Sequence, residues 1–328
     1  MQPCYLVTGA SGHLGGTILK LLRDQGKPVR ALVYPSLPTQ VLDGVPYFVG
    51  DVREKDTLRP LFQGLEGQDI YVIHTAGLID LGENREELLR QVNVEGTENM
   101  LALSRRYRVR RFLYVSSVHA IPPGLPGQVI REVSAFSPET VEGDYAKSKA
   151  LATQAVVEAW AKGLHTVVVH PSGLLGPGDT GGNHLVRMLD AYLRGSLRFT
   201  VRGGYDFVDV RDVALGCIRA LEWGPPGSFY LLTGRHYEIR ELLAMVRPLR
   251  HRPRPLTVPL WLASALAPAA KKVAERQGHS PLFTPYALET LRTNHRFSHD
   301  KAARDLGYAP RDLRYTVRDT VLDLLNRP

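Results

Sequence analysis

The 328-residue chain has only two cysteines, Cys4 and Cys217. Two isolated thiols make no disulfide framework and show none of the paired spacing of a zinc site. The 11 histidines are scattered without metal-ligand spacing, so no metal is expected. No apolar run reaches the ~20 residues of a membrane-spanning helix. No charged and apolar leader precedes the first strand pattern, which begins at Tyr5. A cytoplasmic protein is the expectation. Linkers, repeats and low-complexity tracts are missing too, and 44% hydrophobic with 23% charged residues suits an ordinary globular chain that buries a large core. Acidic residues are in deficit, giving a net charge of +8. The densest basic cluster, Arg105 to Arg111, falls where a helix should end, and cations favour that position. No nucleic-acid motif accompanies it, so no nucleic-acid partner is expected. The surplus would instead attract an anionic cofactor or substrate.

What the chain does have is a glycine-spaced opening. Tyr5–Val7 reads as a short buried strand, and Leu14, Ile18, Leu21 and Leu22 recur at helical spacing. Between them Gly9, Gly12 and Gly15 fall three apart. The first suits a sharp turn, the second a close approach of backbone to phosphate, and the third tight packing of helix on sheet. The helix N-terminus then offers free N–H groups to a pyrophosphate. Val29–Val33 reads as a second strand, and the residue ending such a strand commonly selects the cofactor. An acid there binds the ribose hydroxyls of NAD; a base accepts the NADP phosphate. Tyr34-Pro35-Ser36 supplies neither. With no carboxylate to repel a 2′-phosphate, the expected cofactor is NAD(P), NADP(H) favoured over NAD(H), with Ser36, His13 or Arg30 as candidate phosphate contacts.

Strand and helix patterns then alternate. Pro46–Val52 is a third strand ending at Asp51. Asp69–Gly77 is a fourth, mostly apolar as parallel strands buried on both faces are. Its His74 reads as structural. A helix is expected over Asn84–Tyr107, and Asn93 and Gly96 inside it predict close backbone packing and a buried polar contact. Arg111–Ser117 is a fifth strand ending in Ser116 and Ser117. The next helix opens after Gly143 and continues through Trp160, with Tyr145 and Lys149 four apart on one face. An ammonium near a phenol favours the phenolate, so Tyr145 is expected to have a lowered pKa suited to proton transfer. The fold class is therefore α/β, with a Rossmann-type doubly wound parallel sheet. Residues 1–170 form the dinucleotide-binding domain. Residues 171–328 form a smaller, mainly substrate-binding part, with some segments returning to the sheet.

Thr8-Gly9-x-x-Gly12-x-x-Gly15, the Ser-ended fifth strand and Tyr145-Ala-Lys-Ser-Lys149 together resemble the extended short-chain dehydrogenases/reductases, the NAD-dependent epimerase/dehydratase family. His74-Thr-Ala-Gly77, Asn93-Val-Glu-Gly96-Thr97-Glu-Asn99, Val167–Gly178, Tyr205–Ala214 and Phe297–Pro310 extend the resemblance over nearly the whole chain. The resemblance implies catalytic roles for Ser117 (rather than Ser116), Tyr145 and Lys149, with Asn93 holding a water near them. It implies cofactor contacts from Gly9, Ser11, Gly12, His13, Leu14, Gly15, Tyr34, Asp51, Val52, Thr75, Ala76, Gly77, Tyr145, Lys149, Pro171, Ser172 and Gly173. It also implies a homodimer paired through the helices at about 84–107 and 145–162.

Departures from the family pattern narrow the reaction. A 4,6-dehydratase carries an acidic pair after the fifth strand; this chain has Ser117-Val118-His119. Sugar-nucleotide enzymes often place an Arg at the position of Tyr205 to clamp a pyrophosphate, a bidentate task that a phenol does not replace. Arg202 or Arg211 are the candidate substitutes here. His170 stands where the family has an Arg before Pro171. The apolar stretch Leu256–Ala267 is expected as a helix whose Leu260, Trp261, Ala265 and Leu266 build core or line a lipophilic pocket, followed by apolar Pro281–Tyr286. The pattern looks most like the dihydroflavonol-4-reductase and 3β-hydroxysteroid dehydrogenase branch. The expected activity is interconversion of a carbonyl and an alcohol on a hydrophobic small molecule. Nucleotide-sugar epimerisation is the alternative, and a non-catalytic NADP-binding redox sensor a further one.

Overall fold

The computed structural model describes residues 2–37, 41–79, 85–125, 127–180, 182–259, 261–263, 265, 288, 290, 291 and 296–327. Its centre is a seven-stranded parallel sheet of β1 (Cys4–Thr8), β2 (Val29–Val33), β3 (Tyr47–Val49), β4 (Ile70–His74), β5 (Arg111–Val115), β6 (Thr166–Pro171) and β10 (Ser228–Leu232). The spatial order is β10-β6-β5-β4-β1-β2-β3. The chain begins in the middle and winds outward in both directions, so the order reverses between β1 and β4. Ligands of doubly wound sheets bind at such a reversal, beyond the carboxyl ends of the strands.

Side-chain alternation assigns the two faces. Tyr5 and Val7 of β1 pack with Leu14, Ile18 and Leu22 of α1 (His13–Asp24) and with Val213, Cys217 and Leu221 of α7 (Val210–Trp223). Cys4 and Leu6 of the same strand face the other way. There they join Leu58, Leu61 and Phe62 of α2 (Lys55–Phe62), Met100 and Leu103 of α4 (Gly96–Arg106), and Val156 of α5 (Asp144–Ala161). Each fully buried aliphatic or Phe side chain contributes about 1.5–3 kcal/mol, so both layers hold the helices to the sheet.

The expected helix over 84–107 is not uniform. A short α3 (Glu86–Leu89) runs into a π turn, Arg90–Glu95, before α4 begins. Asn84 lies outside the described residues. One-turn π segments interrupt α-helices most often at functional sites, and this one contains Asn93. Gly96 sits against Val52: a Cβ there would lie 2.7 Å from the Val52 Cγ2. The close packing expected at Gly96 is therefore present.

Past β6 the chain leaves the sheet through β7 (Gly173–Leu175) and α6 (His184–Arg194). β8 (Phe199–Val201) follows, then β9 (Gly204–Asp209), which pairs with β7 and with β11 (Arg235–Glu238) in a three-stranded sheet. β10 and α7 return to the central sheet and its helical layer. α8 (Ile239–Val246) and the final helices α9 (Asp300–Leu306) and α10 (Leu313–Leu325) complete the chain. The helix expected over Leu256–Ala267 does not begin at Leu256, though 261–263 are helical. Leu256–Val258 forms a strand, β12, paired in parallel with β8, because its Leu-Thr-Val run suits an edge strand. Trp261 is 72% exposed and Ala265 is exposed as well, so neither builds core. Leu260, Leu266 and 281–286 lie outside the described residues. Among the described residues no helix is long and apolar enough to cross a membrane.

Candidate active site

Three strand ends and one helix bring the proton-handling groups together. β5 ends in two serines that diverge. The Ser116 hydroxyl lies 2.8 Å from Thr153 Oγ1, whose own proton goes to the Lys149 carbonyl, so Ser116 donates into α5. Ser117 caps the turn Val118–Ala120 by accepting from the His119 N–H at 3.2 Å, and its hydroxyl bonds Tyr145. Tyr145 and Lys149, one turn apart on α5, are both buried. Lys149 Nζ donates to the Val115 carbonyl at 2.9 Å and to the Tyr114 hydroxyl at 3.4 Å, and sits 5.0 Å from the centre of the Tyr114 ring.

The electrostatics differ from the expectation of a lowered Tyr145 pKa. Burial pushes the phenol up to about 12, and the hydrogen bond from Ser117, not the ammonium, is what works against it. Burial also lowers Lys149 to about 8. A cation that is itself starved of solvent, and engaged by Val115 and Tyr114, leaves the phenol protonated at neutral pH. A phenol in that state has a proton to give.

A buried polar chain ties this cluster to the glycine turn. Thr97 Oγ1 donates to the Asn93 carbonyl at 2.6 Å, so it accepts from His74 Nε2 at 3.1 Å. His74 Nδ1 then accepts from Thr8 Oγ1 at 2.7 Å. Burial holds His74 near pKa 3, so the ring is a neutral strut. The Asn93 amide is spent on protein partners. Its Nδ2 donates to the Leu78 carbonyl and to Ser148 Oγ, each at 3.0 Å, and its Oδ1 accepts from the Leu78 N–H at 2.7 Å. The side chain clamps the loop after β4 against α5, where the resemblance implied a water.

The glycine turn has the shape expected of a phosphate cradle. Gly9 has φ +69°, and a Cβ on it would lie 2.7 Å from the Ala76 nitrogen. A Cβ on Gly15 would lie 2.2 Å from the Gly9 carbonyl oxygen, so only glycine lets α1 pack this close. Thr75 Oγ1 bonds the Thr8 carbonyl at 2.7 Å, and the Ala76 N–H bonds Thr8 Oγ1 at 3.2 Å. At the start of α1, Gly12 is the N-cap, with no side-chain cap and no acid in the first turn, which suits an anion. At the far end of this groove a Cβ on Gly77 would meet Lys149 Nζ and Asn93 Oδ1, each at 3.2 Å. The glycine there keeps open the space beside the ammonium. Uncapped N-terminus, glycine-lined groove and buried cation fit an NAD(P) dinucleotide.

Several of the expected contact residues have their side chains committed to protein partners. His13 is buried at the start of α1, its Nε2 donating to the Pro177 carbonyl at 3.1 Å and its Nδ1 accepting from Asn183 at 3.2 Å. Burial lowers its pKa, so its ring is no cation for a 2′-phosphate, though its backbone N–H remains in the cradle. Arg30 donates to the carbonyls of Leu61 and Gln63, away from the end of β2. The Ser172 hydroxyl is given to the carboxylate of Asp206, which also accepts the Gly234 N–H at 2.8 Å. Gly173 packs on the Asp206 backbone, where a Cβ would come within 2.9 Å of its oxygen. Pro171–Gly173 is therefore the crossing between the two sheets. His170 stacks on Phe136 at 5.3 Å, and burial takes it to about pKa 3, so it does not replace the family's Arg.

Residues 5–237 match the NAD dependent epimerase/dehydratase family. The chain belongs to that family. As an extended short-chain dehydrogenase/reductase it is an NAD(P)-binding enzyme acting on CH–OH groups. It is 31% identical over 326 residues to sterol demethylase protein B of Methylococcus capsulatus, covering 96% of each chain. It is 31% identical over 314 residues to the 4-hydroxy-2-methyl-3-oxo-4-farnesyl-3,4-dihydroquinoline-1-oxide ketoreductase of Stigmatella aurantiaca, covering 93% of this chain and 91% of that one. Among solved structures it is similar to gox2253, with a TM-score of 0.83, 29% identity and coverage of 99% and 98%.

Within this epimerase/dehydratase-family enzyme three features were not legible beforehand. Tyr114 supports Lys149 and Ser148 supports Asn93, roles that neither the strand pattern nor the Tyr145–Lys149 motif marks. Tyr205, where sugar-nucleotide members have an Arg, bonds His119 Nε2 at 2.9 Å and stacks on its ring. His119 in turn lies edge-on to Tyr145 at 5.8 Å. Arg211 cannot substitute for the missing clamp, because Asp209 and Asp319 hold its guanidinium. Finally, Asp51 and Tyr34 meet through Arg53, whose Nη2 lies 3.4 Å from the Tyr34 hydroxyl.

Proposed function

We propose that the protein is an NAD(P)-dependent oxidoreductase that interconverts a carbonyl and an alcohol on a hydrophobic small molecule. The observation that carries this is the Ser117–Tyr145–Lys149 cluster facing a site where Tyr205 and His119 replace a pyrophosphate clamp. Two relatives are named for a sterol and a farnesyl quinoline oxide, both lipophilic, which supports the substrate class.

When bound, the nicotinamide supplies or accepts the hydride. In the reductive direction Ser117 donates a hydrogen bond to the substrate oxygen as negative charge develops there. Tyr145, protonated at neutral pH, donates the proton. Lys149 holds the nicotinamide ribose and stabilises the phenolate left behind. Asn93 acts as a positioning residue, keeping Gly77 and Leu78 against α5. The fingerprint from Gly9 to Gly15 holds the pyrophosphate. Tyr34, Asp51 and Val52 flank the adenosine, and the missing acid at Tyr34 supports NADP(H) over NAD(H). Cytoplasmic residence and a homodimer through the helices at 86–106 and 144–161 go with this function.

Tyr145→Phe keeps the ring and removes the transferable proton. Assayed on a panel of lipophilic ketones with NADPH, it should lower kcat by about two or more powers of ten with cofactor affinity largely kept. Near-normal turnover would refute the assignment and favour a redox sensor.

A further inference from the structure

The adenosine ribose of a dinucleotide meets a doubly wound sheet at the end of β2. Here that strand ends in Tyr34, and the loop after β3 brings Arg53 beside it. Arg53 is gripped on one edge only. Its Nε donates to Asp51 Oδ2 at 2.9 Å and Oδ1 at 3.1 Å, and its Nη2 to Asp51 Oδ2 at 2.6 Å and to the Tyr34 hydroxyl at 3.4 Å. The Asp51 carboxylate is itself anchored by the Arg53 backbone N–H at 3.0 Å. Nη1 has no partner among the described residues, and the side chain is 32% exposed.

We infer that Arg53, aimed by Asp51 and flanked by the Tyr34 hydroxyl, is the residue that binds the 2′-phosphate of NADP(H) and so sets cofactor choice. The inference rests on the dinucleotide function proposed above and supplies its missing cation. Arg30 is committed to backbone carbonyls, the His13 ring is neutral, and Ser36 carries no charge. A guanidinium presents donors on more than one edge, so it can keep Asp51 on one and take phosphate oxygens on another, which an ammonium cannot do as a planar fork. Tyr34 completes the pocket because a phenol donates to phosphate where an acid would repel it. A plain surface ion pair is the competing account of Arg53 and Asp51. It would contribute little to stability and would treat the two cofactors alike.

Titration of the purified full-length chain with NADP+ and NAD+, read by calorimetry and needing no turnover, separates the two accounts. Arg53→Gln should weaken NADP+ at least tenfold and change NAD+ less than twofold, with Arg53→Lys between wild type and Gln for NADP+. Adenosine 2′,5′-bisphosphate should follow NADP+, and 5′-AMP should follow NAD+. Equal losses for both cofactors, or an unchanged NADP+ affinity with a lowered melting temperature, would overturn the assignment of Arg53 while keeping the dinucleotide site. Wild-type protein that binds neither nucleotide would overturn the site, and the inference with it.

Discussion

Lys149→Met should stabilise the cofactor-free protein near neutral pH while abolishing turnover. The side chain is 4% exposed, and burial lowers its pKa to about 8 from the ordinary lysine value of 10.5. Keeping it charged in the fold therefore costs about 3 kcal/mol at neutral pH. Met has similar bulk and no charge, but it leaves the Val115 carbonyl unpaired, which costs about 1–3 kcal/mol. The net gain near pH 6.5 is then about 1 kcal/mol. The pH dependence is the sharper test. Because the folded pKa lies below the unfolded one, the unfolded wild-type chain binds the extra proton between about pH 8 and 10.5, and wild-type stability rises through that window. Between about pH 6.5 and about pH 9.5 the wild type should gain about 2 kcal/mol on the variant, reversing their order. Urea unfolding of both proteins at both pH values measures this, and other titrating groups cancel in the difference. A gap that does not change with pH would refute the buried-charge account of Lys149.

The two serines ending β5 should part company. Ser117→Ala should cut kcat by about ten- to a thousandfold, while Ser116→Ala should cost about 1 kcal/mol of stability and leave kcat alone; steady-state assays and thermal melts of both variants decide it. Gly15→Ala puts a methyl where the Gly9 carbonyl oxygen would lie 2.2 Å away, so it should lower stability by more than about 1 kcal/mol and weaken both nucleotides together, read by denaturation and calorimetry. Tyr34→Asp should move preference from NADP+ towards NAD+, because a carboxylate repels the phosphate and accepts from ribose hydroxyls; the ratio of the two dissociation constants reports it.

The parts that follow from local pattern were readable in the residues. Val29–Val33 is a strand with those same bounds, and α5 runs from Asp144, one residue before the tyrosine that marks its buried face. Such readings succeed because burial repeats at two residues in strands and near 3.6 in helices. That Tyr145 and Lys149 share a face was readable from their spacing of four on one helix, and that Ser117 joins them only from the family resemblance. What depends on side-chain direction across long sequence gaps was not. His13 stands in the fingerprint, yet its ring turns to Pro177 and Asn183, contacts made only once the later half has folded. Arg53 reaches Tyr34 across a strand and a loop that no periodicity relates. The pKa of Tyr145 could not be read from an i, i+4 pairing, because two groups on one helix face share a desolvated site as well as each other's field.

The π turn at Arg90–Glu95 has a consequence for how this enzyme can vary. It accommodates a residue that a regular α-helix would not, and that surplus places Asn93 between Leu78 and Ser148. Deleting any one residue from the turn would let the helix close as ordinary α, at no loss of hydrogen bonding along its axis. The helices on either side would keep their register, and what would be lost is the local bulge that sets Asn93 against the loop it holds. In segment 90–95 chain length therefore matters alongside the amide of Asn93, and random point substitution, which never alters length, leaves that variable unexplored.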